Sequence, residues 1–117
     1  MPRLLVVEDN DDWRRMTSAY FAEHGWHVKA TRTFGSALSI CESHRPHVII
    51  SELMLPDVRG YRFVDTFRRA VSGQTVKVIA VTRMPELLFE RAKQIGFDEV
   101  LAKPIDLDTL RTHAELR

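Results

Sequence analysis

Hydrophobic residues along this chain alternate between short runs rich in Val, Ile and Leu and longer stretches with apolar side chains at helical spacing. Continuous apolar runs are typical of strands buried on both faces, whereas a period near 3.6 residues indicates amphipathic helices. Strands are predicted over 3–8, 27–31, 47–52, 76–82 and 99–103. Helices are predicted over 11–24, 34–43, 61–71, 85–95 and from 107 to about 116.

Local signals mark the ends of several predicted helices. Thr33 and Asp106 are candidate N-caps, because their side-chain oxygens can accept hydrogen bonds from the first unpaired backbone N–H groups. Gly25, Gly73 and Gly96 each follow a predicted helix, where glycine readily adopts the backbone angles that end it. Five strands that alternate with five helices predict an α/β fold, with a parallel sheet covered by helices on both faces.

Size and composition narrow the class of protein. The chain has 117 residues, near the commonest domain size, and no linker or repeat interrupts the alternation, so we expect one domain over 1–117. A formal net charge of +1 provides no overall field that would favour nucleic acid or a membrane. Cys41 is the only cysteine, which excludes an internal disulfide and a multi-cysteine zinc site. No apolar stretch approaches the roughly 18 residues of a membrane span, and no signal peptide is visible, so a cytoplasmic location is expected.

Polar side chains stand at the carboxyl ends of four predicted strands. Glu8 and Asp9 end the first, Glu52 the third, Thr82 the fourth and Lys103 the fifth. Ligands of open α/β sheets bind outside this edge. If the first and third strands are neighbours, three carboxylates share one pocket with an ammonium and a hydroxyl at its edge.

Such a pocket suits phosphoryl chemistry with a metal ion. Clustered carboxylates require a compensating cation, and a hard ion such as Mg²⁺ suits them. Lys103 and Thr82 could hold phosphoryl oxygens, and a carboxylate is a competent nucleophile for an acyl phosphate. Each residue alone could instead be a cap or a surface charge, and Glu52 with Lys103 could form a structural salt bridge. A nucleotide-binding flavodoxin-like protein is a further alternative, but it would need a glycine-rich phosphate loop where this chain has the acidic segment 8–12.

Over essentially its full length, the chain resembles the receiver domains of bacterial two-component response regulators. The matching segments are LLVVEDN at 4–10, ELMLPDVRG at 52–60, VIAVT at 78–82 and GFDEVLAKP at 96–104. The resemblance implies a flavodoxin-like (βα)5 doubly wound parallel sheet with strand order 2-1-3-4-5. It implies that Thr82 is the switch hydroxyl and that Lys103 contacts the phosphate. It also implies a magnesium site, with Glu8 and Asp9 as the acidic pair, Glu52, and the backbone carbonyl of Met54 as ligands.

Three positions depart from the family pattern. Glu52 stands where the family has its phosphoacceptor Asp, Val100 stands where an aromatic or His residue is usual, and Arg83 stands where a small residue is common. Glu is one methylene longer than Asp, and a misplacement of about 1 Å can cost on the order of 10²-fold in rate. The longer side chain also carries its charge toward Thr82 and Lys103, although it supplies about one negative charge against roughly two for a phosphoryl group. Val100 has no ring to move with the switch hydroxyl, so we expect a receiver held near one conformation.

The resulting prediction is a signalling module rather than an enzyme, which acts through protein–protein contact independently of phosphorylation or in a constitutively activated-like state. One alternative is a Mg²⁺-dependent phosphoacceptor that uses Glu52. Another is a deliberate Asp-to-Glu replacement that imitates the activated state of a conventional regulator.

Expected partners are a sensor histidine kinase or a downstream regulator protein. A symmetric dimer could form through the predicted fourth helix, fifth strand and fifth helix. The charged residues predicted on that face are Arg83, Glu86, Arg91, Asp98, Glu99 and Arg111. No helix is basic enough to enter a DNA groove, and the chain could be a stand-alone domain or the N-terminal part of a longer regulator.

Overall fold

A parallel five-stranded sheet forms the centre of the protein, for which a computed structural model describes residues 1–58 and 63–115. The strands are β1 (Arg3–Val7), β2 (His27–Thr31), β3 (Val48–Ser51), β4 (Lys77–Thr82) and β5 (Glu99–Ala102). They lie in the order β2-β1-β3-β4-β5, and every neighbouring pair is parallel. This arrangement confirms the predicted flavodoxin-like α/β fold and its strand order.

Helices connect successive strands, as the alternating pattern predicts. They are α1 (Asp11–Glu23), α2 (Phe34–His44), α3 (Val64–Ala70), α4 (Phe89–Ile95) and α5 (Leu107–Glu115). The predicted start of the third helix at Tyr61 lies outside the described residues. The caps predicted at Thr33 and Asp106 are confirmed, because their side chains accept from the backbone N–H groups of Ser36 at 3.3 Å and Thr109 at 3.0 Å.

The predicted fourth helix is only partly correct, since its first turn is a 3₁₀-helix, Glu86–Leu88. Pro85 has extended backbone angles (φ −58°, ψ 139°), and its carbonyl accepts a hydrogen bond from Leu88 N at 3.0 Å. That bond joins residues three apart, which tightens the turn before the α-helix begins at Phe89.

Each face of the sheet carries its own buried apolar cluster, because successive strand residues point to opposite sides. On one face, Leu5, Ile49 and Val78 pack with residues of α2, α3 and α4. On the other face, Leu4 and Ile50 pack with residues of α1 and α5. Among the described residues, no helix is both long and apolar enough to cross a lipid bilayer.

Asp57 joins the loop after β3 to the start of α2, a contact that the sequence interpretation did not anticipate. Its two carboxylate oxygens accept from the backbone N–H groups of Phe34 and Gly35, each at 2.9 Å. These bonds, that from Gly35 foremost, lower the pKa of the Asp57 carboxyl. The loop that leads away from Glu52 is therefore tied to a neighbouring helix.

The Asp57→Ala variant is expected to lose about 1 to 2 kcal/mol of unfolding free energy, because it leaves the first N–H groups of α2 without their carboxylate partner. Urea unfolding followed by circular dichroism measures the loss. Glu42→Ala, an exposed position on the same helix, serves as the control. Equal stability of Asp57→Ala and Glu42→Ala would contradict the capping role.

Candidate functional site

The carboxyl ends of the strands bring together most of the side chains predicted to form the site. The parallel pairing places Glu8 and Glu52 directly after paired residues of β1 and β3. Backbone hydrogen bonds extend the sheet into these ends, from Glu52 N to Val7 O at 3.0 Å and from Lys103 N to Thr82 O at 2.8 Å. Glu8, Glu52 and Thr82 are all buried. The sheet geometry therefore gathers two carboxylates, a hydroxyl and an ammonium at one edge.

Lys103 is the centre of this group. Its Nζ contacts Glu8 Oε1 directly and lies 3.7 Å from Glu52 Oε1, and only 5% of the Lys103 side chain is exposed. The contact with Glu52 was anticipated from the sequence, but the closer partner, Glu8, was not. Burial raises the pKa of the Glu8 carboxyl, while the Lys103 ammonium opposes that rise. The two carboxylates thus share one buried ammonium.

The Glu52 carboxylate has partners for both of its oxygens. Oε2 accepts from the backbone N–H of Leu53 at 2.6 Å, and Oε1 faces Lys103. Only 8% of Glu52 is exposed. The predicted extension of this side chain toward Lys103 is confirmed, whereas its predicted approach to Thr82 stays a prediction.

Thr82, at the end of β4, is fully buried. Its Oγ1 accepts from Met84 N at 3.1 Å, which directs the hydroxyl toward the loop after β4. Val100, the position where the family usually has an aromatic residue, lies in the apolar cluster on the α2–α4 face of the sheet. Neither residue is among those that line the cleft at this edge.

An open cleft of about 450 Å³ lies over the carboxyl edge. The residues that line it are Glu8, Asp9, Asn10, Asp12, Trp13, Met16, Glu52, Arg83 and Lys103. Arg83 therefore belongs to the cleft, whereas the sequence interpretation placed it on the fourth-helix face, because the direction of this residue depends on the course of the loop after β4. Met54 is 64% exposed and is not among the described lining residues.

Trp13 and Asn10 also line this cleft, a position that the sequence interpretation did not assign to them. The indole of Trp13 faces Lys103 Nζ, with 4.8 Å between the nitrogen and the ring centroid. Asn10 caps α1 by accepting from Trp13 N at 2.8 Å. The signal available in the sequence was the spacing of three residues from Asn10 to Trp13, which is the spacing of an N-cap and the residue it caps.

The described side chains do not fit a divalent metal ion as they are placed. Among them, no group of three or more His, Cys, Asp or Glu residues is arranged to hold one. The Lys103 ammonium supplies the positive charge between Glu8 and Glu52, and Asp9 is exposed. The predicted ligand set of Glu8, Asp9, Glu52 and the Met54 carbonyl therefore stays a prediction.

Three charges assigned from the sequence to a dimer surface have partners within the chain. Arg68 pairs with Asp98 at 3.0 Å and Lys77 with Glu99 at 2.8 Å. Arg111 Nε donates to the Tyr20 hydroxyl at 3.0 Å. These contacts tie β4, β5 and α5 to the rest of the molecule, and the dimer through this face stays a prediction.

Comparison with known proteins identifies relatives that match most of the length of this chain. The chain is 29% identical over 104 residues to a 14.6 kDa protein from the sodA1 3′ region of Leptolyngbya boryana, covering 88% of this chain and 79% of that one. It is 30% identical over 110 residues to the response regulator Rre1 of Synechocystis, covering 92% of this chain and 47% of Rre1. It spans only 23% of the length of the regulatory protein AtoC of Escherichia coli.

The fold comparison agrees with the sequence relatives. A two-component response regulator from Clostridium difficile superposes with a TM-score of 0.88 at 19% identity, over 98% of this chain and 93% of that one. The family model described as the response regulator receiver domain matches residues 4–115. Because that match spans nearly the whole chain, and the strand order agrees with it, the chain belongs to the receiver-domain family of response regulators, the signalling modules of two-component phosphorelay systems.

Proposed function

We propose that this receiver signals through protein–protein contact without being phosphorylated, with Glu52 at the phosphoacceptor position and Lys103 as its internal cation. The observation that carries the proposal is the burial of Lys103 Nζ in contact with Glu8 and 3.7 Å from Glu52. A lysine that must receive phosphoryl oxygens needs donors directed at the incoming group. Here the ammonium is directed at two carboxylates.

The state of Glu52 supports the same conclusion. A nucleophilic carboxylate must present a lone pair to the phosphorus along an open path. Both oxygens of Glu52 have partners, and the side chain is one methylene too long for a site shaped around Asp. The misplacement of about 1 Å is sufficient to lower a reaction rate on the order of 10²-fold.

Magnesium binding is proposed to be weak for the same reason. Receiver domains generally bind Mg²⁺, and Glu8, Asp9, Glu52 and the Met54 carbonyl are the corresponding positions here. An ion that used Glu8 or Glu52 would compete with Lys103, and two positive charges in one small site repel each other. The Lys103 ammonium therefore takes the place that Mg²⁺ occupies in other receiver domains.

The output of the domain is proposed to be a constant surface rather than a switched one. Val100 is buried in the core and has no ring to exchange between two positions. We propose a sensor histidine kinase or a downstream regulator protein as the partner, with a homodimer through α4, β5 and α5 as one arrangement. Residues 1–117 are proposed to form one cytoplasmic receiver domain, either alone or within a longer regulator.

Incubation of the purified protein with acetyl phosphate and Mg²⁺, followed by intact-mass measurement, tests the proposal. We expect no gain of a phosphoryl group under conditions that fully modify an Asp-bearing receiver. A stoichiometric gain that hydroxylamine removes, and that is absent from Glu52→Gln, would overturn it and establish Glu52 as a phosphoacceptor. A gain that persists in Glu52→Gln would place the phosphoryl group on another residue, and it would also contradict the proposal that the receiver is not phosphorylated.

A further inference from the structure

Glu8, Asn10 and Trp13 form a closed circuit of contacts with Lys103, which starts and ends at the Lys103 ammonium. Glu8 Oε1 contacts Lys103 Nζ, and Glu8 Oε2 accepts from the backbone N–H of Asn10 at 3.0 Å. Asn10 Oδ1 accepts from Trp13 N at 2.8 Å, and the Trp13 ring faces Lys103 Nζ at 4.8 Å. The circuit therefore includes the first turn of α1.

The position of the Trp13 indole is set independently of Lys103. The residue is half-buried and packs against the apolar cluster formed by α1, α5 and one face of the sheet. The Asn10 cap holds the backbone of the same residue. An indole that is fixed on its own helix can restrain a flexible lysine side chain, whereas a mobile indole could not.

The contact between the ammonium and the ring is favourable because the ring face is electronegative. Contacts of this kind correspond to roughly 2- to 30-fold in an equilibrium constant, with the larger values for desolvated ammonium groups. The Lys103 side chain is almost completely buried, so the upper part of that range applies. Removal of the ring would give Lys103 more freedom to leave Glu8.

We propose that Trp13 is a positioning residue, which holds Lys103 against Glu8 and thereby keeps divalent cations out of the acidic cleft. The inference deepens the proposed function and rests on its assignment of Lys103 as the internal cation. It adds a consequence for α1. Any ligand that draws Lys103 away must break its contacts with both Glu8 and Trp13, so occupancy of the cleft is coupled to the first turn of α1.

Magnesium titrations of three variants test this role. Trp13→Leu removes the aromatic face, and Trp13→Phe keeps a weaker one. The control, Trp26→Phe, removes an indole from the same apolar cluster but changes none of the residues that contact Lys103. Chemical shifts of labelled protein report the Mg²⁺ affinity, and the upfield shift of the Lys103 side-chain protons reports the indole contact. We expect the Mg²⁺ association constant to rise about 3- to 30-fold in Trp13→Leu, less in Trp13→Phe, and less than 2-fold in Trp26→Phe.

The outcomes separate this inference from the proposed function. Unchanged Mg²⁺ affinity in both Trp13 variants would overturn the inference, even if the unmodified protein resists acetyl phosphate. An equal rise in Trp26→Phe would also overturn it, because general loosening of the core would then explain the effect. If Trp13→Leu does not fold, the intermediate effect expected for Trp13→Phe decides. Phosphorylation of the unmodified protein on Glu52 would contradict the proposed function alone.

Discussion

The Lys103→Met variant is expected to lose about 3 to 5 kcal/mol of unfolding free energy at pH 7. Methionine preserves most of the volume of the lysine stem, so packing changes little. The charge balance changes much more, because Glu8 is only 2% exposed and would keep a negative charge without its closest cation. Glu52, the second carboxylate at the same edge, adds repulsion.

This loss should shrink as the pH falls. Burial already raises the pKa of Glu8 in the presence of Lys103, and removal of the ammonium raises it further. A carboxyl whose pKa is higher in the folded state than in the unfolded state takes up its proton more readily when folded, so acid stabilises the folded state relative to neutral pH. Urea unfolding at pH 7 and pH 5 should therefore show a smaller loss for Lys103→Met at pH 5.

Two further variants define the origin of the loss. Glu8→Gln combined with Lys103→Met removes both charges and should recover most of the lost free energy, since the cost arises from the unpaired partner. Lys93→Met, at an exposed position of α4, should change stability by no more than about 0.5 kcal/mol. A loss for Lys103→Met that is below about 1 kcal/mol at pH 7, or that does not vary with pH, would contradict the buried-pair interpretation.

The second large effect is expected for Glu52→Asp, which should raise the rate of phosphorylation by acetyl phosphate in the presence of Mg²⁺ on the order of 10²-fold. The shorter side chain withdraws the carboxylate from Lys103 and restores the reach of the residue usual in the family. The Asp carboxylate would also be more available to a metal ion, because it would no longer reach the Lys103 ammonium. A time course of intact mass gives the rate for both proteins.

The control for this gain is Glu52→Gln, which is similar in length to Glu52 but lacks a nucleophilic oxygen anion. It should remain unmodified throughout the time course. If Glu52→Asp is folded and remains as unreactive as the parent protein, the length of residue 52 is not what limits the reaction. The ion pair between Lys103 and Glu8 would then be the cause.

The fold was largely predictable because the apolar pattern of this chain is unambiguous. Parallel strands covered on both faces require continuous apolar runs, such as Val48–Ile50 in the buried strand β3. The error at the fourth helix has a local cause. A proline at 85 is compatible with either an α-helix or a tighter turn, and the choice depends on how the loop after Thr82 approaches the sheet.

The candidate site was predictable as a group of residues but not as a set of pairs. Strand ends alone place Glu8, Glu52 and Lys103 at one edge of the sheet. Which carboxylate receives the ammonium depends on side-chain reach across two strands, and no pattern along the chain records it. The contact of Trp13 with Lys103 joins a helix to a residue directly after β5 that is 90 positions later in the sequence. Only the packed structure brings them together.

The Glu8–Lys103 pair joins positions separated by 95 residues, almost the whole length of the chain. A contact of such long range closes a large loop of chain, and the entropic cost of that closure is offset only as the intervening segments pack. During synthesis from the N-terminus, Glu8 emerges early and must remain hydrated until the last strand adds to the border of the sheet beside β4. A nascent chain that stops short of Lys103 consequently retains a carboxylate that water, rather than an ammonium of the protein, must stabilise.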